Sequence, residues 1–119
     1  ISLNHGEARS VQKAKQRMGF PPNFIHSLDA THMMMVAEGC GEEGITFAGV
    51  HDSFWTHPCD APVLNRVIRS KFKELHEQPI LRDLHADLCI RLGGREVPPL
   101  PQQGELDLSQ VLDSPYIFN

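Results

Sequence analysis

The chain has 119 residues, 40% of them hydrophobic and 22% charged, with a formal net charge of -4. That length holds one domain or part of one, and the apolar share is ordinary for a globular chain. The charge argues against a freestanding nucleic-acid binder, which carries a basic face to neutralise phosphates. Three cysteines make no disulfide framework and suit a reducing compartment. No run of 18 apolar residues offers a transmembrane helix, so no membrane insertion is expected. Ile1 opens the chain without a signal-peptide pattern, and the whole reads as a piece of something larger.

Residues 1–20 are polar, with Lys13, Lys15 and Arg17 and no apolar stripe, which predicts a loop, extended chain or frayed helix. Pro21–Pro22 reads as a break. A helix is expected from Ser27 as cap, with Leu28, His32, Met35 and Val36 at helical spacing, ended by Gly39, Gly41 and Gly44. Ile45 to His51 reads as a strand buried on both faces, Asp52–Ser53 as a turn, and Phe54 to Thr56 as a second strand. Asp60 is an expected N-cap with Pro62 in the first turn, followed by Val63, Leu64, Val67, Ile68, Phe72 and Leu75 on one helical face. Gln78–Pro79 interrupts. A further helix carries Ile80, Leu81, Leu84, Leu88 and Leu92, and Gly93–Gly94 stops it. A Pro-rich connection, Val97 to Gly104, leads to a short helix over Leu106 to Leu112 and an apolar end at Tyr116, Ile117 and Phe118. The fold class is therefore α+β, mostly helical with one β-hairpin. A lone hairpin is marginal, so the pattern calls for more protein around it.

Asp52, directly after the apolar strand, has two readings. It is a hard-oxygen ligand for Mg²⁺, or a turn aspartate bonded to its own backbone. His51, His57 and Cys59 are zinc-type ligands, but no C-x-x-C or H-x-x-x-H pair accompanies them, so structural zinc is not expected. Ser53 lacks a nucleophile elbow. Cys40 and Cys89 read as packing residues. Met33, Met34 and Met35 cannot share one helix face, so at least one is expected in the core and another against a neighbouring element. His26, Ser27, Asp29 and His32 at an expected helix start either face an anion or simply cap the helix and favour its dipole.

Three stretches in order, PPNFIHSLDATHMMM, HDSFWTH and the terminal YIFN, resemble the C-terminal part of the bacteriophage-type single-subunit DNA-directed RNA polymerases. The resemblance runs from about Pro21 to Asn119. The Trp55-Thr56-His57 continuation and the Met triplet resemble the organellar branch, mitochondrial or, alternatively, plastid. The resemblance implies a right-hand architecture of palm, fingers and thumb, with HDS on a palm hairpin called motif C. It implies that residues 1–119 are a palm segment, with 97–119 as a C-terminal extension. Asp52 then matches one of two metal-binding aspartates, His51 lies beside the growing RNA end, and His26 matches a histidine near the nascent base pair. Phe118 and Asn119 match a C-terminal end that packs close to the active site.

The family's other palm aspartate and its fingers lysine and tyrosine have no match here. The implied function is template-dependent nucleotidyl transfer in organellar transcription by a two-Mg²⁺ mechanism, in the full-length protein. The fragment alone is expected to be inactive. The implied partners are DNA template, nascent RNA, nucleoside triphosphates and accessory factors. Two alternatives stand beside it. One is a non-enzymatic helical interaction module with Asp52 as a turn residue. The other is a family A DNA polymerase palm, where a glutamate usually follows the aspartate instead of Ser53.

Overall fold

Helix α1, Lys13–Glu42, is 30 residues long and carries Pro21 and Pro22 in its interior. The computed structural model describes residues 10–116. The expectations for Ile117, Phe118 and Asn119 fall outside these residues. Residues 13–20 are helical, which corrects the loop or extended chain expected there. Two prolines remove two ladder donors and cost about 3 kcal/mol each in a helix interior. Here the carbonyls four residues back belong to Arg17 and Met18, both exposed, so water can satisfy them. Ser27 is likewise no cap. It lies mid-helix, and its Oγ donates to the Phe24 carbonyl at 2.6 Å. An anion site at a helix start there is thereby removed.

Only the second half of α1 is buried, through His32, Val36, Gly39 and Cys40. This spacing keeps one stripe facing inward. Helix α2, Ala61–His76, crosses it and buries Leu64, Val67, Ile68, Arg69 and Leu75. A 3-10 turn, Pro58–Asp60, leads into α2. Asp60 holds the N-cap position as expected, but its side chain makes no capping bond. The helices approach closely at Gly39, where an added Cβ would stand 2.8 Å from Val67 Cγ1 and 3.2 Å from Lys71 Cε.

Between the helices lies an antiparallel hairpin of β1, Ala48–Val50, and β2, Ser53–Trp55. Its register pairs Ala48 with Trp55, Gly49 with Phe54 and Val50 with Ser53. Thr56 Oγ1 donates to the Thr46 carbonyl at 2.6 Å and fastens the open end. The strands are shorter than expected, and the loop is His51–Asp52 rather than Asp52–Ser53. Nor is β1 buried on both faces. Phe54 and Phe47 pack on the core of Val36, Cys40, Leu64, Val67 and Ile68, while Val50 and Trp55 are each 54% exposed. Period-two alternation puts them on the outer face.

Helix α3, Ile80–Leu92, buries no residue, although its apolar positions match the expected pattern. Its C-cap Gly93 adopts φ 56°, the left-handed conformation that glycine tolerates. Helix α4, Gln110–Asp113, is a single turn that overlaps only the end of the helix expected over Leu106 to Leu112. Arg69 holds it to α2, with its guanidinium donating to the carbonyls of Val111 and Ser114 and to Asn65 Oδ1. The molecule is α+β, as its pattern predicts. Its radius of gyration is 18.9 Å, against about 13–14 Å for a compact chain of this length.

Candidate functional site

The hairpin loop has two residues, His51 and Asp52, both exposed. His51 has φ 55° and is the only non-glycine residue with positive φ among those described. Two-residue hairpins favour primed turns because their twist matches that of the strands, and the first loop position then takes positive φ. Glycine or asparagine would normally fill it. Histidine, with asparagine and aspartate, is among the few side-chain-bearing residues enriched in this left-handed region, so it meets the demand of the turn. The turn thus presents the imidazole and the carboxylate side by side at the tip.

The base beneath this tip is fixed. Gly49 lies opposite Phe54, and an added Cβ on Gly49 would stand 3.1 Å from the Phe47 ring and 3.4 Å from Met33 Sδ. Of the methionine triplet, Met33 therefore faces the hairpin and Met34 is 69% exposed. Met35 is half-buried, and none of the three enters the fully buried core. The Phe54 ring packs on Phe47 at 5.7 Å and edge-on to His32 at 6.0 Å. His32 is buried, and its Nε2 donates to the Ile68 carbonyl at 3.0 Å. Burial holds its pKa below the ordinary histidine value, and nearby His76 lowers it further. The Ile68 bond and Asp29 act in the opposite direction.

His26 is exposed on α1. It lies six residues before His32, about 9 Å along the axis and on a different face. No hydrogen bond or ring contact among the described residues joins it to the His51–Asp52 pair. Cys40 is buried and its thiol pKa is pushed up by burial, which makes it a packing residue. Cys89 is exposed, which corrects the packing role expected for it.

Among the described residues, no group of three or more His, Cys, Asp or Glu stands together as a metal site. The hairpin tip offers a single carboxylate. That fits a Mg²⁺ site in part, since this ion uses one or two protein carboxylates alongside phosphate and water oxygens. No helix among the described residues is long and apolar enough to cross a membrane. The sequence signal placed His32 on the stripe of its helix but gave no partner for it, and it missed Arg69; these partners lie 36 to 45 residues away.

The chain belongs to the DNA-dependent RNA polymerase family, which it matches over residues 1–97. Within that family its relatives are plant organellar, single-subunit enzymes. It is 55% identical over 119 residues to DNA-directed RNA polymerase 2, chloroplastic/mitochondrial, of Arabidopsis thaliana, covering all of this chain and 12% of that protein. It is 53% identical over 113 residues to DNA-directed RNA polymerase 3, chloroplastic, of Nicotiana sylvestris, covering 95% of this chain and 12% of that protein. It is 50% identical over 113 residues to DNA-directed RNA polymerase 1B, mitochondrial, of Nicotiana tabacum, covering 95% of this chain and 11% of that protein. The chain thus spans about an eighth of the length of these relatives.

Proposed function

We propose that this chain is the C-terminal palm segment of an organellar DNA-directed RNA polymerase, acting in mitochondria or, alternatively, in plastids, with Asp52 as one of its two metal-binding aspartates. The single observation that carries the assignment is the hairpin tip, where an anchored inner face supports an exposed His51–Asp52 loop with His51 at φ 55°. Family membership supports the same reading. The turn by itself asks only for positive φ at its first loop position; the pairing of an exposed histidine with a carboxylate at the tip, in a chain of this family, supports the metal ligand.

In the reaction, the RNA 3′ hydroxyl gives up its proton to water as its oxygen bonds to the α-phosphorus of a nucleoside triphosphate, and the bond to pyrophosphate breaks. Mg²⁺, held in part by the Asp52 carboxylate, would supply charge stabilisation for such an in-line displacement. The Asp52 carboxylate supplies hard oxygen ligands, and a second carboxylate comes from outside these residues. His51 stands beside it to orient the RNA end, and His26 positions the nascent base pair. Positioning and charge stabilisation dominate phosphoryl chemistry, so donors and rings at fixed places suffice. The DNA template, nascent RNA and nucleoside triphosphates are the partners, together with accessory factors. The segment 97–119 forms the C-terminal extension.

The test is Asp52→Asn in the full-length polymerase, read by single-nucleotide extension of an RNA primer. Loss of one ligand charge should cost about 3 kcal/mol or more of transition-state stabilisation, a rate loss of about a hundredfold. Extension at the wild-type rate under ordinary Mg²⁺ would refute the assignment.

A further inference from the structure

His32 stands where three elements meet. It lies on α1, donates from Nε2 to the Ile68 carbonyl of α2, and presses on Phe54 of β2. A second ring, Phe72 of α2, meets it edge-on at 5.6 Å and 85°. The side chain is 7% exposed. Ile68 is mid-helix, so one lone pair of its carbonyl serves the helical ladder and the other remains for the imidazole. That bond fixes the tautomer with the proton on Nε2 and fixes the ring plane. The two phenyl contacts then follow from the ring's orientation, since edge-to-face pairing is directional.

The route from this ring to the reacting end of the molecule is short. Phe54 is two residues from Asp52, with only Ser53, the first residue of β2, between them. Its partner across the ladder is Gly49, which has Met33 and Phe47 against it and no side chain of its own to adjust. The outer face of the hairpin, with Val50 and Trp55, makes no comparable anchor within these residues. The height of the tip above the helix pair is thus set from the inner face, through Phe54.

We propose that His32 is a positioning residue for Asp52, holding the hairpin, and with it the carboxylate, at the distance nucleotidyl transfer requires. This rests on the reading of Asp52 as a metal ligand. An aliphatic residue would fill the space but lose the donor that orients the ring and leave Phe54 free to settle. Misplacement of a reacting group by about 1 Å costs up to about 10²-fold in rate.

The experiment uses the full-length polymerase carrying His32→Leu, His32→Gln, Phe54→Leu or Asp52→Asn. Single-nucleotide addition is measured across a Mg²⁺ titration, well below each variant's melting temperature. His32→Leu should lower the maximal rate by about 10- to 100-fold and raise the Mg²⁺ concentration for half-maximal rate. The KM for nucleotide should stay near wild type. His32→Gln should recover most of both, because its amide can replace the Nε2 donor. Phe54→Leu, which leaves the His32 bond intact, should shift the Mg²⁺ response in the same direction. A wild-type rate and Mg²⁺ response in His32→Leu or in Phe54→Leu would overturn the proposal, whatever happens to the melting temperature. If those variants behave as wild type while Asp52→Asn is inactive, positioning by His32 alone fails. If Asp52→Asn is active, the reading of Asp52 fails first.

Discussion

The guanidinium of Arg69 donates to the main-chain carbonyl of Val111 at 2.7 Å, across 42 residues of sequence. It also reaches the Ser114 carbonyl and Asn65 Oδ1, and it is 8% exposed. The C-terminal turn α4 buries no residue of its own. A planar cation with several donors therefore attaches the last part of the described chain to α2. The geometry suits arginine, because a lysine ammonium cannot span three acceptors in a fixed fork.

Arg69→Met should release this segment. Each charge-assisted bond contributes about 1.5–3 kcal/mol. Hydrogen exchange of the full-length polymerase should show faster exchange at residues 110–114, with α1 unchanged. Protection at wild-type levels would mean that the segment is held by something else.

Gly39→Ala should destabilise the helix pair. The new Cβ meets stiff Val67 Cγ1 at 2.8 Å. Overpacking costs about 1–3 kcal/mol, which outweighs the gain of about 1 kcal/mol in helix propensity. Adding Val67→Ala removes the clash, so urea unfolding should show the double variant losing less than the sum of the two single changes.

Stability should also depend on His32 protonation. Its folded pKa lies below the ordinary 6.5, chiefly through burial and then His76 on α2, against the Ile68 bond and Asp29 on α1. The unfolded chain therefore binds the proton more readily. The stabilisation is full above the unfolded value and is lost as pH falls through about 6.5 toward the folded one. Urea melts from about pH 8 to about pH 5 should show this loss, and His32→Gln should reduce it. A histidine variant with an unchanged pH slope would assign the effect to other groups.

Much of this architecture was legible from side-chain period and punctuation. Asp60 and Pro62 mark the start of α2, Gly93 stops α3, and the apolar run near Ile45 announces a strand. The candidate tip was legible from His51 and Asp52, which any reading of that run isolates. What failed were judgements that depend on surroundings. Pro21 and Pro22 look like a break by propensity, yet an exposed helix can leave Arg17 and Met18 carbonyls to water. The strand Ile45 to His51 reads as buried on both faces, yet Val50 is exposed here. His32 and Arg69 act on carbonyls 36 to 45 residues away, a separation no local pattern encodes.

The most direct measurement places a metal at the hairpin tip. Fe²⁺ can substitute for Mg²⁺ at hard-oxygen sites, and with ascorbate and peroxide it cuts the chain nearest to itself. In the full-length polymerase, fragments ending at residues 51–53 should form, excess Mg²⁺ should suppress them, and Asp52→Asn should abolish them. Unchanged cutting at the tip in Asp52→Asn, or cutting confined to segments away from the hairpin, would contradict the assignment of Asp52 as a metal ligand.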